Sequence, residues 1–515
     1  MNFYFDAAKT LDKLDAKQGS IKGAIGTFPE KDRKRMTALI IETLKYKSVL
    51  GEVIFAADLL RHERQKVTSK NLALLLVHDL LFAKGIQAGD GPIKQAIMRH
   101  KTRLHAELIK IKIKRGVKSM MELAQGGDAR ADLIPRYVRV NALLWTVDKA
   151  VQYFISKGFE EHGNPLDSKS SIRRDEHISN LLLFHPSVSF RDEPMLASGK
   201  IILQDKASCF PATVLAPPAH DNAHVIDATA APGNKTTLLS SIMKGQGKLY
   251  AFERDKRRFE TLVKMLAKAH CSNVEPTNTD FLSVDPLGTT YSRVSHVLLD
   301  PSCSGSGIVN RLDHLLETED ENDTNDKEER LQKLAAFQLL MIKHAMKFPA
   351  VEKIVYSTCS VHATENEEVV CQALASDEAR TGHFVLARRK DVLPTWQRRG
   401  LLEKMAGSIE NADALVRCMP GEDHTNGFFV SCFVRDRGNS NEIRRDTGDW
   451  KRGEERERKK EAAVRASLKK RGAGEVVNEG ESNDKQSDGT ATELGGAEQR
   501  SGSRCRKSKK RKLRK

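Results

Sequence analysis

Five short apolar runs recur between residues 223 and 358, and each stops at small or acidic residues. They read AHVIDAT, GKLYAFE, SNVEPT, VSHVLLD and EKIVYST. Several are apolar at consecutive positions, where a strand buried on one face would alternate. Consecutive burial marks a sheet covered on both faces, and helical stretches fill the intervals. Strand, helix, strand, helix predicts a doubly wound α/β domain over about 201–435. Two later runs, GHFVLAR (382–388) and NGFFVSCFV (426–434), read as further strands, antiparallel to the rest. Open sheets of this kind bind and react at the carboxyl ends of their strands, so the residues after each run carry the most weight.

The first such loop is AHVIDATAAPGNKTTLLS (223–240), a strand, a small-residue turn and a helix start. Ala228, Ala230, Ala231 and Gly233 let a ligand approach the backbone. The helix beyond offers free N–H groups and a positive dipole end. GNKTT is not a P-loop, which needs G-x-x-x-x-G-K-[ST]; here Asn234 separates Gly233 from Lys235, and position 228 is Ala. A dinucleotide fingerprint fails for lack of its other glycines. The second strand ends at Glu253, 20 residues past Gly233, where an acid commonly binds two ribose hydroxyls. A helix-start carboxylate is the plainer role for Glu253, and Asp255 can serve it too. The third strand leads to Asp280-Phe281, an acid and a ring suited to the edge and face of an adenine. A nucleoside pocket without a phosphate loop points to S-adenosylmethionine rather than to a nucleotide.

The fourth run ends LLDPSCSGSG (298–307), and the fifth opens IVYSTCSVHATENEEVV (354–370). Taken alone, Cys359 reads as a small buried hydrophobe. Thr364 and Glu367 stand at capping-box spacing before Val369 and Val370, so a helix is expected to start there. Consecutive crossovers would carry Asp300, Cys303 and Cys359 to one rim, and that coincidence makes Cys359 a candidate nucleophile. The chemistry suits a pyrimidine. Carbon 5 of cytosine is too weak a nucleophile to take a methyl group directly. A thiolate added at carbon 6 makes carbon 5 enamine-like, and an acid near the ring nitrogen stabilises the adduct. Loss of the carbon-5 proton then lets the thiol leave. A helix N-terminus beside the cysteine would lower its pKa. The base must also be turned out of its stack to be reached.

The rest of the chain is organised around this domain. Residues 1–130 read as helical, with MTALIIETLKYKSVLGEVIFAADLL (36–60) and PIKQAIMRHKTRLHAELIKIKIK (92–114) near a 3.6 period. The second is basic on its polar positions, a face that suits plain solvation or phosphate contact equally. LALLLVHDLLFA (72–83) contains His78 and Asp79, is too short to span a bilayer, and reads as a core helix. Residues 131–200 read as a small α/β module, with YVRVN as a strand, WTVDKAVQYFISKG as a helix ending at Gly158, and a polar stretch at 160–178. ETEDENDTNDKEER (317–330) reads as a mobile acidic insertion. Residues 436–515 hold 24 basic and 15 acidic residues and end in RCRKSKKRKLRK. They read as a disordered tail: a nuclear-localisation signal, an RNA-holding arm, or solvated chain.

The 515 residues carry a net charge of +16, from 85 Lys and Arg against 69 Asp and Glu. The tail supplies +9 and the body +7, so both lean toward a polyanion, nucleic acid first. Eight cysteines form no C-x-x-C pair, so neither a structural zinc site nor a disulfide framework is expected. The start, MNFYFDAAKTLDKLDAK, lacks the form of a signal peptide, and an intracellular chain without a membrane partner is expected.

DATAAPGNKT, DPSCSGSG and YSTCSVHATENEE, with PRYVRVN, LQDKASC and NGFFVSCF, resemble in order the motifs of the Sun-domain RNA cytosine-5 methyltransferases, over about residues 1–435. LLFAKG, RLHAELIKIKIKRG (103–116) and PSCSGSG are most similar to the branch that modifies eukaryotic large-subunit ribosomal RNA. The resemblance implies a Rossmann-like, S-adenosylmethionine-dependent catalytic domain (201–435) behind a helical N-terminal domain (1–130) and a small RNA-binding α/β module (131–200). It implies a ribosomal RNA or pre-ribosomal partner, no metal, and a nuclear, nucleolar location. Cys359, the cysteine of the T-C motif, would attack cytosine; Cys303 would assist product release; Asp300 would lie at the target base and the cofactor methyl. Ala230, Ala231, Pro232, Gly233, Asn234, Lys235 and Thr236 would form the cofactor loop, with Glu253, Arg258 and Asp280 at the remaining cofactor positions. Lys235 would hold a carboxylate, the cofactor's or the protein's own.

Two departures matter. The family's D-x-P-C order becomes Asp300-Pro301-Ser302-Cys303, which keeps the Asp-to-Cys spacing but leaves the aim of Cys303 open. Thr229 replaces the cysteine that often precedes Ala-Ala-Pro-Gly, at a position expected to supply backbone. Two other readings compete. One is a methyltransferase fold kept as a ribosome-assembly or RNA-binding scaffold. The other is a small-molecule or protein methyltransferase, which needs no second rim cysteine.

Overall fold

The apolar segment at 72–83 is the axis of the amino-terminal domain. In the computed structural model, which describes residues 1–16, 18–19, 21–309, 315–316 and 324–436, this domain runs α1 (Asn2–Asp15), α2 (Ile21–Gly26), α3 (Glu30–Lys45), α4 (Lys47–Ala56), α5 (Leu59–His62), α6 (Lys70–Phe82), α7 (Pro92–Arg99) and α8 (Lys101–Lys114). α6 is buried from Asn71 to Leu80, as a helix apolar on all sides must be. Its polar members are paired: Tyr4 Oη donates to Asp79 Oδ2 at 2.5 Å, and Asn71 Nδ2 donates to Asp12 and Asp15. The periodic run at 36–60 is broken into α3, α4 and α5. The chain leaves helical register at Tyr46, whose ring stacks on Phe82 at 4.1 Å, and at Asp58, with a left-handed φ of 52°. The run at 92–114 likewise breaks at His100, where Arg99 and His100 both turn onto the buried carboxylate of Glu63.

The small module is a four-stranded antiparallel sheet with a helix on one face. It comprises β1 (Arg136–Val140), α9 (Val147–Ser156), β2 (Ile172–Arg174), β3 (Leu181–Phe184), α10 (Pro194–Ala197) and β4 (Ile201–Leu203), in sheet order β2-β3-β1-β4. β2 lies inside the stretch read only as polar, where Ile172 alone of its three residues is buried and the rest are arginines. Val138 and Val140 pack with Phe154 and Phe184 under α9. Strand alternation sends Tyr137 and Arg139 the other way, toward the third domain.

That domain runs α11 (Lys206–Leu215), β5 (His224–Asp227), α12 (Asn234–Ile242), β6 (Lys248–Phe252), α13 (Lys256–Lys268), β7 (Val274–Thr277), β8 (His296–Leu299), α14 (Thr324–Met346), β9 (Lys353–Thr358), α15 (Glu367–Leu374), α16 (Asp377–Gly382), β10 (Phe384–Leu386), α17 (Ile409–Asp413), β11 (Val416–Cys418) and β12 (Phe428–Arg435). The strand order is β10-β12-β9-β8-β5-β6-β7, with β11 also paired to β12. β5 to β9 are mutually parallel, and β12 runs antiparallel to β9. This is the doubly wound, Rossmann-like sheet expected, with the late strands antiparallel. The order turns back at β5, which has β6 on one side and β8 on the other, and such switch points open a crevice for a ligand.

One expectation changes. Residues 324–330 of the acidic stretch form the first turns of α14 rather than a loop, while 317–323 lie outside the described residues. The tail at 436–515 lies outside them too, apart from Asp436. Leu315 is buried in the core of the amino-terminal domain, so chain leaving the fourth strand of the parallel sheet returns to touch the helices. Among the described residues no helix is long and apolar enough to cross a membrane.

Candidate active site

A cavity of about 380 Å³ opens at the carboxyl ends of β5, β6, β8 and β9. Thr229, Glu253, Asp280, Asp300, Cys303 and Cys359 stand in its wall, with Arg258 at the side. A larger cavity of about 600 Å³ lies between the small module and residues 395–424. It contains no thiol, and of its cations Lys206, Arg398 and Arg174 are already paired, with Asp175, Asp423 and the carboxylates of Asp148 and Glu161. The chemistry belongs to the smaller one.

The loop after β5 is built for shape. Ala230–Thr236 lie outside the cavity wall and set it through their bonds. Thr236 Oγ1 lies 2.8 Å from Asp227 Oδ2 and 3.1 Å from the Ala230 carbonyl. Burial pushes the Asp227 carboxyl up to about 6. Gly233 begins α12 at a φ of 112°, and a Cβ there would come within 3.0 Å of Met265 Cγ. Arg258 Nη2 donates to the Ala231 carbonyl at 2.7 Å, and its Nη1 lies 3.3 Å from Glu253 Oε2. On the other side Arg139, fully buried, donates to the Asn234 carbonyl at 3.2 Å and to Thr237 Oγ1 at 2.7 Å. Asn141 donates to the carbonyls of Gly199 and Ala269. The R-x-N of β1 therefore clamps the small module to the start of α12 and the end of α13. Sequence reasoning took YVRVN as a strand and missed this role; a lone arginine inside an apolar strand was the available signal.

On the β6 side, Asp255 caps α13 by accepting the Arg258 N–H at 2.8 Å. Asp255 is thus the cap residue, and Glu253, 4 % exposed, lines the cavity while its Oε1 accepts the Asp255 N–H at 2.9 Å, so it serves the helix start as well. Asp280 accepts the Leu282 N–H and lies 3.6 Å from Arg254 Nη1. Phe281 lines the cavity, but its ring is 1 % exposed and stacks on Phe348 at 5.8 Å. It offers no open face, contrary to the expectation for an adenine site.

On the β8 side, Asp300 gathers three elements. Its Oδ2 takes Lys235 Nζ at 2.8 Å, its Oδ1 accepts the Ser357 hydroxyl at 2.8 Å, and its N–H donates to Thr229 Oγ1 at 3.0 Å. The carboxylate held by Lys235 is therefore the protein's own. Thr229 supplies its side chain and not backbone alone, and Ser357 was not foreseen. Burial works against the Lys235 ammonium, but Asp300 outweighs it and holds the group above its ordinary range. The ring of Phe428 lies 5.3 Å below the same nitrogen.

Cys303 Sγ and Cys359 Sγ lie 3.0 Å apart, both as free thiols. The bond to Cys359, burial and nearby charges raise Cys303 well above the ordinary thiol range. The two loops are also joined by backbone: the Gly307 N–H donates to the Cys359 carbonyl at 2.9 Å. A Cβ at Gly307 would sit 2.2 Å from the Gly427 carbonyl, which accounts for glycine there. The expected capping box is absent. α15 starts at Glu367, whose fully buried carboxylate holds Arg417 through two bonds, at 2.6 and 2.8 Å. Thr364 caps nothing there: Asn366 stands before the helix, tied to Thr358 Oγ1 and the Ser360 carbonyl. Cys359 thus lies eight residues before the helix, not at its first turn.

Residues 212–434 match the family described as 16S rRNA methyltransferase RsmB/F. Residues 34–124 and 134–204 match the N-terminal and ferredoxin-like domains of NOL1/NOP2/Sun domain family member 5. The 25S rRNA (cytosine-C(5))-methyltransferase rcm1 of Schizosaccharomyces pombe is 42% identical over 440 residues, covering 84% of this chain and 91% of that protein. The chain belongs to the NOL1/NOP2/Sun family of RNA cytosine-5 methyltransferases. The 28S rRNA (cytosine-C(5))-methyltransferase of Mus musculus is 39% identical over 444 residues, with 84% and 91% covered. Among solved structures, PH0851 aligns with a TM-score of 0.54 at 20% identity, covering 80% of this chain and 93% of that one. That likeness is one of fold.

Proposed function

We propose that this enzyme methylates carbon 5 of a cytosine in large-subunit ribosomal RNA, with S-adenosylmethionine as methyl donor and Cys359 as nucleophile. The observation that carries the reading is the 3.0 Å approach of Cys303 and Cys359 beside Asp300 in one cavity. The names of the relatives support the substrate. The donor set fits the cofactor: Glu253, Asp280 and Asp300 are acids around a cation-accepting cavity, beside a small-residue turn at the switch point. Glu253 would hold the ribose hydroxyls, and Asp280 and Arg258 would flank it. Bound S-adenosylmethionine supplies an electrophilic methyl group.

The residues present account for the other steps. A cytosine turned out of its stack enters over the two thiols. Cys359 gives up its proton and forms a bond to carbon 6, and the electron pair of the 5,6 double bond moves toward the ring nitrogen, which takes a proton by way of Asp300. Lys235 and Ser357 hold that carboxylate in place, so no reorganisation is needed as charge develops. Carbon 5 then takes the methyl group. The bond to Cys359 is the leading cause that holds the proton on Cys303. Once Cys359 is joined to carbon, that cause is gone, and burial, Glu365 and Asp300 still hold Cys303 above the ordinary thiol range. Cys303 gives its proton to the departing Cys359 sulfur as the carbon-5 proton leaves to solvent, the double bond re-forms and the carbon–sulfur bond breaks. The helical domain and small module would guide the RNA, and the basic tail would direct the protein to the nucleus and nucleolus.

The test is bisulfite mapping of large-subunit ribosomal RNA from cells lacking the protein, after incubation with the purified chain and cofactor. Wild type should protect a cytosine. Cys359→Ala should protect none while still binding cofactor, and protection by that variant contradicts the proposal.

A further inference from the structure

The loop that carries Cys303 has no regular structure of its own, since residues 300–309 form neither helix nor strand. Pro301 fixes its own φ and restricts Asp300, but it stands one position too early to stiffen the residue before Cys303. The grip on this loop is polar. Gln338 Nε2 donates to the Ser302 carbonyl at 3.1 Å. Glu365 Oε1 accepts the Ser304 N–H at 2.9 Å, and Oε2 accepts the Ser304 hydroxyl at 2.6 Å. Both neighbours of Cys303 are therefore held. Gln338 Nε2 also donates to Glu365 Oε1 at 2.9 Å, and Tyr356 Oη lies 3.0 Å from Gln338 Oε1 and 2.5 Å from the Glu365 carbonyl. Gln338, Tyr356 and Glu365 are all fully buried. Both carboxylate oxygens of Glu365 are spent on the Ser304 end of this loop and on the glutamine that grips its other end. Such a closed polar network fixes geometry more tightly than packing alone.

We propose that Glu365 is a positioning residue that aims Cys303 at the bound base, doing by hydrogen bonds what a proline directly before the cysteine would do by its ring. The inference rests on the roles given above to Cys359 and Cys303. Glu365 touches neither the base nor either sulfur through a hydrogen bond; it acts through Ser304. After the Cys359 bond and burial, its charge also helps to keep Cys303 protonated until attack has occurred. Cys359 follows a different strand, β9, and its attack should survive a loosened Cys303 loop.

The experiment follows the covalent protein–RNA adduct on a denaturing gel, with the full chain, S-adenosylmethionine and large-subunit ribosomal RNA from cells lacking the protein. Glu365→Ala should form adduct in a single turnover within about threefold of wild type but release it about tenfold or more slowly, with cofactor affinity unchanged. Glu365→Gln should release faster than Glu365→Ala, because its amide can accept from the Ser304 N–H and donate to the Ser304 hydroxyl. Equal loss in the two variants, or equal slowing of attack and release, overturns the proposal. If Glu365→Ala does not fold, Ser304→Ala decides. It removes the hydroxyl, which also meets Ser306 and Ser360, and leaves the Ser304 N–H on Glu365; adduct decay slowed by about two- to fivefold supports the proposal, whereas unchanged decay overturns it. Cys303→Ala runs alongside. Adduct that persists in Cys303→Ala but clears normally in Glu365→Ala contradicts Glu365 alone; no adduct in Cys303→Ala contradicts the cysteine roles beneath it.

Discussion

The strands on either side of β5 carry carboxylates at the same level and hold them in different ways. On the β6–β7 side, Glu253 and Asp280 are partnered by Arg258 and Arg254, whose side chains are 54% and 65% exposed. On the β8–β9 side, Asp300 is held by Lys235, only 14% exposed, by Ser357 and by Thr229. The open side can part and re-form its pairs as a ligand comes and goes. The closed side cannot, and it keeps the groups near the thiols at fixed separations. Binding and chemistry are therefore divided at the switch point, and substitutions on the two sides should leave different kinetic marks.

Cys359→Ala, on the closed side, should have the largest effect, lowering turnover by at least about 10⁴-fold with cofactor affinity unchanged by calorimetry. Lys235→Met strands the Asp300 carboxylate. It should cost about 10²- to 10³-fold in kcat while the cofactor KM stays within a few-fold. A raised KM with normal kcat would erase the distinction between the two sides. Glu253→Gln, on the open side, should show the reverse pattern in steady-state assays, a KM for cofactor raised by about tenfold and a kcat within about twofold.

Asp227 lies between the sides, and its effect should be the smallest. Burial raises its carboxyl from the ordinary 3.8 to about 6. A carboxyl with a raised folded-state pKa destabilises the fold when ionised. That cost is present above pH 6 and falls away between pH 6 and 3.8 as the folded protein takes up the proton. In that window it changes stability by about 1.4 kcal/mol per pH unit. Asp227→Asn lacks this dependence, so thermal unfolding should show wild type gaining on the variant as pH drops from 7 to 5. Parallel curves would remove Asp227 from the account.

What could be read from the chain was whatever repeats locally. Strands β5, β6, β8 and β9 are apolar at consecutive positions, so they announce a sheet covered on both faces. β11 does not, because its central residue is Arg417, and that arginine is buried only because Glu367 reaches it from 50 residues away. Its spacing from Thr364 made Glu367 look like a helix cap instead. Lys235, Thr229 and Arg139 follow the same rule. Each is ordinary in its own segment, and its role comes from a partner on another strand or domain. The two cysteines and Asp300 were legible because the topology of consecutive crossovers brings strand ends together. Their mutual distance was not, since the grip on Cys303 runs through Glu365 and Gln338 on separate elements.

The most direct test of the central claim is mass spectrometry of peptides from the Cys303→Ala protein after reaction with ribosomal RNA and cofactor. A methylated pyrimidine attached to the peptide that contains Cys359 is the predicted result. Adduct at any other residue, or adduct that survives when Cys359 is also replaced, would contradict it.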